Sequence, residues 1–293
     1  MARPRVYEAA GVPAEIAEEL AASFELVDAQ SGADGVVATP AIPVDEAFLD
    51  AVGPQLRIVA NYAVGLDNID FDATRARGIV VSNTPGVLTN ATAEHAIALM
   101  LALLRRVVEG DRSLRRGDEW EWGPDFMVGE GLEGKEVLVV GPGRIGTRVG
   151  ELARAHGAHT SFARRGDDLH ALLGAADVVT LHCPLTPETR HLVDGDALAA
   201  MQSSAVLVNT ARGPVVDESA LVDALRRGEL AGVALDVFEQ EPVVSGELLA
   251  MENVVLTPHI ASATRETRHA MGMLVVSALR AVLLEGRVPE NAV

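Results

Sequence analysis

The chain has 293 residues, of which 48% are hydrophobic and only 3% aromatic, so its length predicts two domains with aliphatic cores. Acidic residues outnumber basic ones by 42 to 24, and the net charge of −18 argues against a general binder of nucleic acids or of anionic membranes. The single cysteine, Cys183, excludes an intrachain disulfide and a metal site built on cysteines, and the absence of a signal-like or membrane-spanning apolar run predicts a soluble, cytoplasmic protein.

Short apolar runs alternate with amphipathic segments in the first third of the chain. The predicted strands of this part are 35–39, 57–62 and 78–83, and the predicted helices are 13–22 and 45–52. Pro85 and Gly86 interrupt the alternation, and a long helix is expected over 91–108. This pattern predicts a parallel sheet covered by helices.

The segment 115–135 contains five glycines and both tryptophans of the chain, and it is predicted to be a loop. A second alternating series follows this loop. Its predicted strands are 136–141, 159–163, 177–183, 205–210, 230–238 and 253–259, and its predicted helices are 144–156, 168–173, 195–201 and 217–227. The series predicts a doubly wound α/β unit, and a last helix is expected over 264–284.

Gly141, Gly143 and Gly146 form a G-x-G-x-x-G pattern that follows an apolar strand and opens a helix. In that context the first glycine allows a tight turn, the second lets the backbone approach a pyrophosphate, and the third lets helix and strand pack closely. The N–H groups of the first helical turn, at Arg144 and Ile145, would point at the phosphates. The alternative is a turn without a ligand, which this context disfavours.

Arg164 and Arg165 stand at the end of the next predicted strand, where an NAD-binding unit places an acidic residue that binds the ribose hydroxyls. A guanidinium instead pairs with a 2′-phosphate through charge-assisted hydrogen bonds. We therefore expect NADP(H) in preference to NAD(H), which remains the second choice. A solvated surface pair is the alternative, and the neighbouring Asp167 and Asp168 could weaken the preference.

Arg212, Glu241 and His259 each follow a predicted strand of the second series. Since the carboxyl ends of parallel strands meet at one crevice, we expect these side chains to lie together. A histidine can donate a proton to a carbonyl oxygen, and a carboxylate beside it orients the ring and raises its pKa. An arginine binds a carboxylate and polarises the adjacent carbonyl. Taken singly, a His after a Pro and a Glu before a Pro are more often structural.

Several segments resemble the signature blocks of the D-2-hydroxyacid dehydrogenases. They are GPGRIG, LHCPLTPETRHL, NTARGPVVDESALVDAL, LDVFEQEP, LTPHIAS and IVANYAVGLDNIDFDATRARGIVVSNTPGVLTNATAEHAIALML. The resemblance extends from about residue 35 to the end and is greatest to the glyoxylate/hydroxypyruvate reductase branch. It implies two doubly wound parallel-sheet α/β domains, in which a Rossmann cofactor domain, 89–265, is inserted into a flavodoxin-like substrate domain, 1–88 with 266–293.

The resemblance also implies roles for individual residues. Arg212 would bind the substrate's carboxylate and keto group, and His259 would be the general acid, with Glu241 as its partner. The remaining substrate contacts implied are the backbone N–H groups of Val64 and Gly65, the side chain of Ser262 and, in a homodimer, Trp122 reaching into the partner subunit's site. No metal and no nucleic-acid or membrane partner is expected.

Further cofactor contacts are implied beyond the glycine turn and the two arginines. They are Cys183 and Pro184 beside the adenine, Thr210 and Ala211 near a ribose, Asp236 at the nicotinamide carboxamide, and His259 and Ala261. Structural alternatives stay open, because Asp236 could merely end a strand, Trp122 could only pack at a dimer interface and Cys183 could be apolar filler. His95, within the long helix, is expected to lie at the domain interface.

The predicted function is the reduction of small 2-oxo acids, such as glyoxylate or hydroxypyruvate, to D-2-hydroxy acids with NADPH. One alternative is a nucleotide-sensing scaffold without turnover, like the corepressors that share this fold. Another is a dehydrogenase acting on a substrate such as D-3-phosphoglycerate, which would require extra basic residues near the pocket.

Overall fold

The computed structural model describes residues 2–293, and the chain in it forms two units. The first consists of the chain up to Leu88 together with Ala263–Val293, and the second is Thr89–Ser262. The return to the first unit therefore falls three residues before the predicted position between 265 and 266. None of the helices in the described residues is both long and apolar enough to cross a bilayer.

The strands and helices follow the predicted alternation. The strands are β1 (Arg5–Glu8), β2 (Glu25–Val27), β3 (Gly35–Ala38), β4 (Ile58–Asn61), β5 (Val80–Ser82), β6 (Glu136–Val140), β7 (His159–Ala163), β8 (Val178–Leu181), β9 (Val206–Asn209), β10 (Gly232–Leu235) and β11 (Val254–Leu256). The helices are α1 (Ala14–Ser23), α2 (Glu46–Val52), α3 (Phe71–Ala76), α4 (Thr89–Leu104), α5 (Val107–Arg116), α6 (Arg144–Ala155), α7 (Leu169–Ala175), α8 (Gly195–Ala200), α9 (Glu218–Arg227), α10 (Gly246–Ala250) and α11 (Arg265–Leu283).

The first unit is built on a parallel sheet with the order β2-β1-β3-β4-β5, which is the flavodoxin-like order. Strands β3 and β4 are buried along their whole length, as expected for strands covered on both faces. Strands β1 and β2 were not predicted from the sequence, because they are short and carry polar, partly exposed residues. Helix α11 returns to this unit and packs closely on α1, where Gly272 faces Ile16.

The second unit is built on a parallel sheet with the order β11-β10-β9-β8-β6-β7. Helices α4 and α6 contribute to the apolar cluster on one face, and α7, α8 and α9 contribute to the cluster on the other. The expected architecture of two doubly wound parallel-sheet units is thereby confirmed.

The long helix predicted over 91–108 is interrupted. Helix α4 ends at Leu104, Arg106 adopts a left-handed conformation with φ 53°, and α5 continues as a separate helix to Arg116. The carbonyl of Leu104 accepts a hydrogen bond of 2.8 Å from the backbone N–H of Glu130, so the returning chain takes the bond that a continuing helix would use. The prediction of one continuous helix to residue 108 is therefore wrong, whereas the predicted loop is present and begins after Arg116.

Candidate active site

The crevice of the second unit opens where the strand order reverses, between β6 and β8. The chain leaves β6 for β7 on one side and then crosses to β8 on the other side of β6. Gly141, which follows β6 with φ 91°, lies so close to the β8 loop that an added Cβ would be 2.7 Å from the backbone nitrogen of Cys183. This switch point is where open α/β sheets bind their ligands.

The three glycines of the turn differ in what surrounds them. A Cβ on Gly146 would overlap the carbonyl oxygen of Gly141 and lie 3.0 Å from Val139 Cγ1, so Gly146 is required by packing within the protein. A Cβ on Gly143 would meet no atom within 4 Å. Gly143 begins α6 without a side-chain cap, which leaves the helix start open toward an external anion.

Helix α6 shares the lack of a side-chain cap with α1 and α5 but differs in this respect from five other helices. Five aspartates each accept hydrogen bonds from backbone N–H groups in the first turn of a helix, namely Asp45, Asp70, Asp168, Asp194 and Asp217. Such caps stabilise a helix by about 1 kcal/mol each. The open start of α6 at Gly143 and the free space beside it fit the pyrophosphate of a dinucleotide.

Thr210, directly after β9, supports the same fit. Its hydroxyl is buried and has no hydrogen-bond partner in the described residues. A buried polar group without a partner is unfavourable, and a polar group of a bound ligand would satisfy it. The next residue, Ala211, is fixed by a 3.0 Å hydrogen bond from its N–H to Asn209 Oδ1.

The two arginines lie exposed in a turn at the carboxyl end of β7. The backbone N–H of Arg164 donates to Asp167 Oδ2 at 2.8 Å, and Asp168 caps helix α7 by accepting from Ala171. Both carboxylates thus accept hydrogen bonds from backbone N–H groups of this segment. Arg165 is 3.7 Å from Glu188 Oε1, a loose and exposed ion pair that leaves the guanidinium open to a further anion.

His259 and Glu241 form a hydrogen-bonded pair. The distance from His259 Nδ1 to Glu241 Oε2 is 2.8 Å, and the other carboxylate oxygen accepts from the N–H of Phe238 at 3.1 Å. Burial opposes ionisation of Glu241, but the bonds and charge of its neighbours outweigh it, so its pKa lies below the usual range. An ionised Glu241 places the proton on His259 Nδ1 and leaves Nε2 for a substrate.

Arg212 acts on the same carboxylate, because its positive charge is one of the causes that lower the pKa of Glu241. Its backbone carbonyl accepts from Asn209 Nδ2 at 2.9 Å, and its Nη1 donates to the carbonyl of Ala211 at 2.8 Å. The next residue, Gly213, is buried directly against Phe238, and an added Cβ would overlap that carbonyl group. The structure therefore joins the Arg212 turn and the Glu241 loop through their backbones.

The backbone of His259 is held in the left-handed region, with φ 53°. Its N–H donates to the carbonyl of Asp236 at 2.8 Å, and the Asp236 carboxylate accepts from Ile260 at 2.9 Å and Ala261 at 2.8 Å. Asp236 is fully buried; burial opposes its ionisation, but the hydrogen bonds it accepts hold its pKa below the usual range. The binding of a nicotinamide carboxamide by Asp236 stays a prediction.

His95, expected at a domain interface, contacts the ends of β10 and β11 in its own unit. Its Nε2 is 3.1 Å from Thr257 Oγ1 and 3.4 Å from Asp236 Oδ1. Neither this contact nor the contribution of Gly213 was predicted from the sequence. A histidine next to the apolar run of the long helix was a signal for the contact of His95, and the glycine directly after Arg212 was a signal for the close packing at Gly213.

The remaining predicted residues lie in different surroundings. Val64 and Gly65 belong to the first unit, where their carbonyls accept from the side chains of Asn83 at 2.9 Å and Asn61 at 2.8 Å. Burial raises the pKa of the Cys183 thiol, which disfavours a reactive thiolate. Pro184 and Trp122 are exposed, and Ser262, half-buried, is the last residue of the second unit. Residues 2–293 contain no group of three His, Cys, Asp or Glu side chains arranged for a metal ion.

Comparison with known proteins gives consistent similarities. Residues 97–261 match the family model of the D-isomer specific 2-hydroxyacid dehydrogenase, NAD binding domain. The glyoxylate reductase of Aeropyrum pernix is 48% identical over 82% of this chain and 77% of its own, and that of Korarchaeum cryptofilum is 41% identical over 99% and 96%.

Solved structures extend the similarity to the whole fold. A protein from Thermus thermophilus superposes with a TM-score of 0.91 at 41% identity, covering 99% of both chains. The NADPH-dependent glyoxylate/hydroxypyruvate reductase of Sinorhizobium meliloti, in complex with NADP and malonate, superposes with a TM-score of 0.88 at 35% identity, covering 100% of this chain and 97% of that one.

Proposed function

The chain belongs to the D-isomer specific 2-hydroxyacid dehydrogenase family of NAD(P)-dependent oxidoreductases, and from that premise we propose that it reduces glyoxylate, hydroxypyruvate or similar small 2-oxo acids to D-2-hydroxy acids. The observation that carries the proposal is the 2.8 Å pair of His259 with Glu241, on whose carboxylate the charge of Arg212 also acts. A proton donor, its orienting base and a cation for the substrate carboxylate are thereby present in one unit.

In the proposed mechanism Arg212 binds the carboxylate of the 2-oxo acid and polarises the adjacent carbonyl. The family resemblance also implies that the backbone N–H groups of Val64 and Gly65 contact the substrate. The nicotinamide dinucleotide supplies, when bound, the hydride that adds to the carbonyl carbon. The proton on His259 Nε2 moves to the carbonyl oxygen, and Glu241 stabilises the imidazolium that precedes this transfer.

We assign the dinucleotide to the crevice after β6. Its pyrophosphate would lie against Gly141, Gly143 and the N–H groups of Arg144 and Ile145, where the space beside Gly143 is open. Thr210 and Ala211 follow β9 at the same edge of the sheet, and the unpaired Thr210 hydroxyl would find its partner there.

Two glycines of the turn are expected to differ in their roles, Gly143 in cofactor binding and Gly146 in the stability of the fold. Gly143→Ala should leave the melting temperature within about 1 °C of that of the unchanged protein, because no atom lies within 4 Å of the added Cβ, yet weaken NADPH binding about tenfold or more by occupying the pyrophosphate space. Gly146→Ala should lower the melting temperature without any ligand present, because its Cβ overlaps the Gly141 carbonyl. Calorimetric melting and cofactor titration of both variants test this, and unchanged NADPH affinity in Gly143→Ala would contradict the assignment.

We propose NADP(H) as the preferred cofactor, with Arg164 and Arg165 binding the 2′-phosphate. The reductase of Sinorhizobium meliloti is NADPH-dependent, and in this chain Asp167 and Asp168 are engaged by backbone N–H groups rather than by the guanidinium groups.

Arg164→Ser with Arg165→Ser should therefore raise the KM for NADPH about 10- to 100-fold and leave the KM for NADH nearly unchanged. The matched control is Arg226→Ser with Arg227→Ser, an exposed arginine pair on α9 that changes the net charge by the same amount. Equal use of NADH and NADPH by the unchanged protein would contradict the proposed preference.

We propose a homodimer formed through the exposed apolar surface of 107–128. Helix α5 has no buried residue, and apolar side chains stay exposed along it and the following segment: Val107, Leu114, Trp120, Trp122, Phe126 and Val128. Trp120 stacks on Phe126 with ring centroids 6.1 Å apart, which gives the segment a defined shape. Exposed apolar patches of this kind mark interaction surfaces.

Light scattering should therefore give a mass about twice the 30.8 kDa of one chain. Leu114→Glu should shift the equilibrium toward the monomer, because it places a charge within this apolar surface. Leu284→Glu is the matched control, since Leu284 is similarly exposed but lies at the end of α11. A monomeric unchanged protein, or equal effects of both variants, would contradict the proposed interface.

The proposed function is tested by measuring NADPH and NADH oxidation with glyoxylate, hydroxypyruvate and pyruvate, followed by chiral analysis of the hydroxypyruvate and pyruvate products. We expect turnover of at least one of these acids and a D product. Cofactor binding without turnover of any 2-oxo acid would instead indicate a nucleotide-sensing scaffold.

A further inference from the structure

His95 is the side chain of α4 that reaches the hydrogen-bonded groups beneath the His259 loop. Its Nε2 lies 3.1 Å from Thr257 Oγ1 and 3.4 Å from Asp236 Oδ1, and its side chain is only 19% exposed. The core-facing positions of α4 around it are mostly apolar, among them Ala96, Ile97, Leu99 and Met100. Thr92 is also buried on this helix, but His95 is the side chain of α4 that contacts the buried Asp236 carboxylate.

The directions of the hydrogen bonds follow from the acceptors. Thr257 donates its hydroxyl hydrogen to Asp236 Oδ1 at 2.6 Å, so the Thr257 oxygen is left to accept from His95. The proton of His95 therefore resides on Nε2. The chain of bonds runs from the His95 ring through the Thr257 hydroxyl to the buried Asp236 carboxylate.

The same carboxylate holds the backbone on the far side of His259. Its Oδ1 accepts from the N–H of Ile260 at 2.9 Å and its Oδ2 from the N–H of Ala261 at 2.8 Å. His259 itself has φ 53°, a conformation that residues other than glycine adopt rarely and that the surroundings must maintain. The Asp236 carboxylate thus bonds both residues that directly follow His259.

We propose that His95 is a positioning residue of the active site: by donating to Thr257, which donates in turn to Asp236, it keeps the carboxylate aligned with the N–H groups of Ile260 and Ala261, and thereby holds His259 in its left-handed conformation. The catalytic consequence rests on the proposed function, because it requires His259 to be the general acid. The hydrogen-bond chain itself does not.

The kinetic test compares His95→Leu, which removes the donor, with His95→Gln, whose amide nitrogen donates at a similar reach. His95→Leu should lower kcat for the reduction of a 2-oxo acid about 10- to 100-fold with KM changed by less than about threefold, because a displaced general acid slows the chemical step more than binding. His95→Gln should restore most of the rate. This difference between the two variants would show that the hydrogen bond donated by the side chain, and not its volume, supports the rate.

A second pair of variants tests the route through Thr257. Thr257→Val removes the hydroxyl at nearly constant volume, and Thr257→Ser retains it, so Thr257→Val should reproduce the loss of kcat and Thr257→Ser should not. If both groups belong to one chain of bonds, the double variant His95→Leu with Thr257→Val should be no slower than the slower single variant. If His95→Leu does not fold, the comparison of Thr257→Val with Thr257→Ser still tests the proposed hydrogen-bond chain.

A measurement that needs no turnover separates the positioning role from the proposed function. Amide hydrogen exchange at Ile260 and Ala261, resolved by NMR, should be about tenfold faster in His95→Leu than in the unchanged protein and in His95→Gln. Faster exchange in a protein that reduces no 2-oxo acid would overturn the proposed function and retain the positioning role. Unchanged exchange and kcat in His95→Leu, or equal losses in the leucine and glutamine variants, would overturn the positioning role.

Discussion

Replacing His259 with asparagine should lower kcat for 2-oxo acid reduction by a factor of about 10² to 10⁴, because the reaction loses its general acid. Asparagine should preserve the local structure at this position, since it tolerates φ 53° and its amide can still donate to Glu241. Cofactor affinity should therefore stay within about threefold of that of the unchanged protein. Steady-state kinetics with the 2-oxo acid that is reduced best, together with NADPH titration, measure both quantities.

The matched control is His159→Asn, which removes an exposed histidine of β7 in the same unit. We expect this control to keep the kcat of the unchanged protein. The assignment of His259 as the proton donor would fail if His259→Asn retained more than about a tenth of the original kcat while binding NADPH normally.

Replacing Gly213 with alanine should have the largest effect on stability among the predictions made for single glycines. The added Cβ would overlap the carbonyl group of Phe238, and backbone atoms cannot move aside as the end of a flexible side chain can. We expect a loss of about 3 kcal/mol or more and a fall in melting temperature of about 10 °C. Since Gly213 joins the Arg212 turn to the Glu241 loop, kcat at a temperature where the variant is folded should also fall.

Gly246→Ala provides the comparison for this effect. Gly246 begins helix α10 in the same unit, it is exposed, and an added Cβ there meets no atom within 4 Å. Its replacement should change stability by less than about 1 kcal/mol. Similar melting temperatures for Gly213→Ala and Gly246→Ala would show that the two active-site segments are not held together by the contact at Gly213.

The positions of the three candidate catalytic side chains were predictable because each follows an apolar strand. In a parallel sheet the carboxyl ends of the strands lie at one edge, so loops that follow different strands bring their polar residues to that edge. The 2.8 Å contact of His259 with Glu241 and the action of the Arg212 charge on Glu241 agree with this reasoning.

The amino-acid sequence by itself determined the alternation of strands and helices, the glycine turn after β6 and the residues at the strand ends, because these depend on local patterns of apolar residues and on backbone freedom at glycine. Only the tertiary structure decided the end of α4 at Leu104, the burial of Gly213 against Phe238 and the contact of His95 with Thr257. The partners in these contacts are far apart along the chain, 162 residues in the last case, so no local pattern contains them. They form because close packing brings distant backbone and polar groups together, and buried polar groups must then find partners.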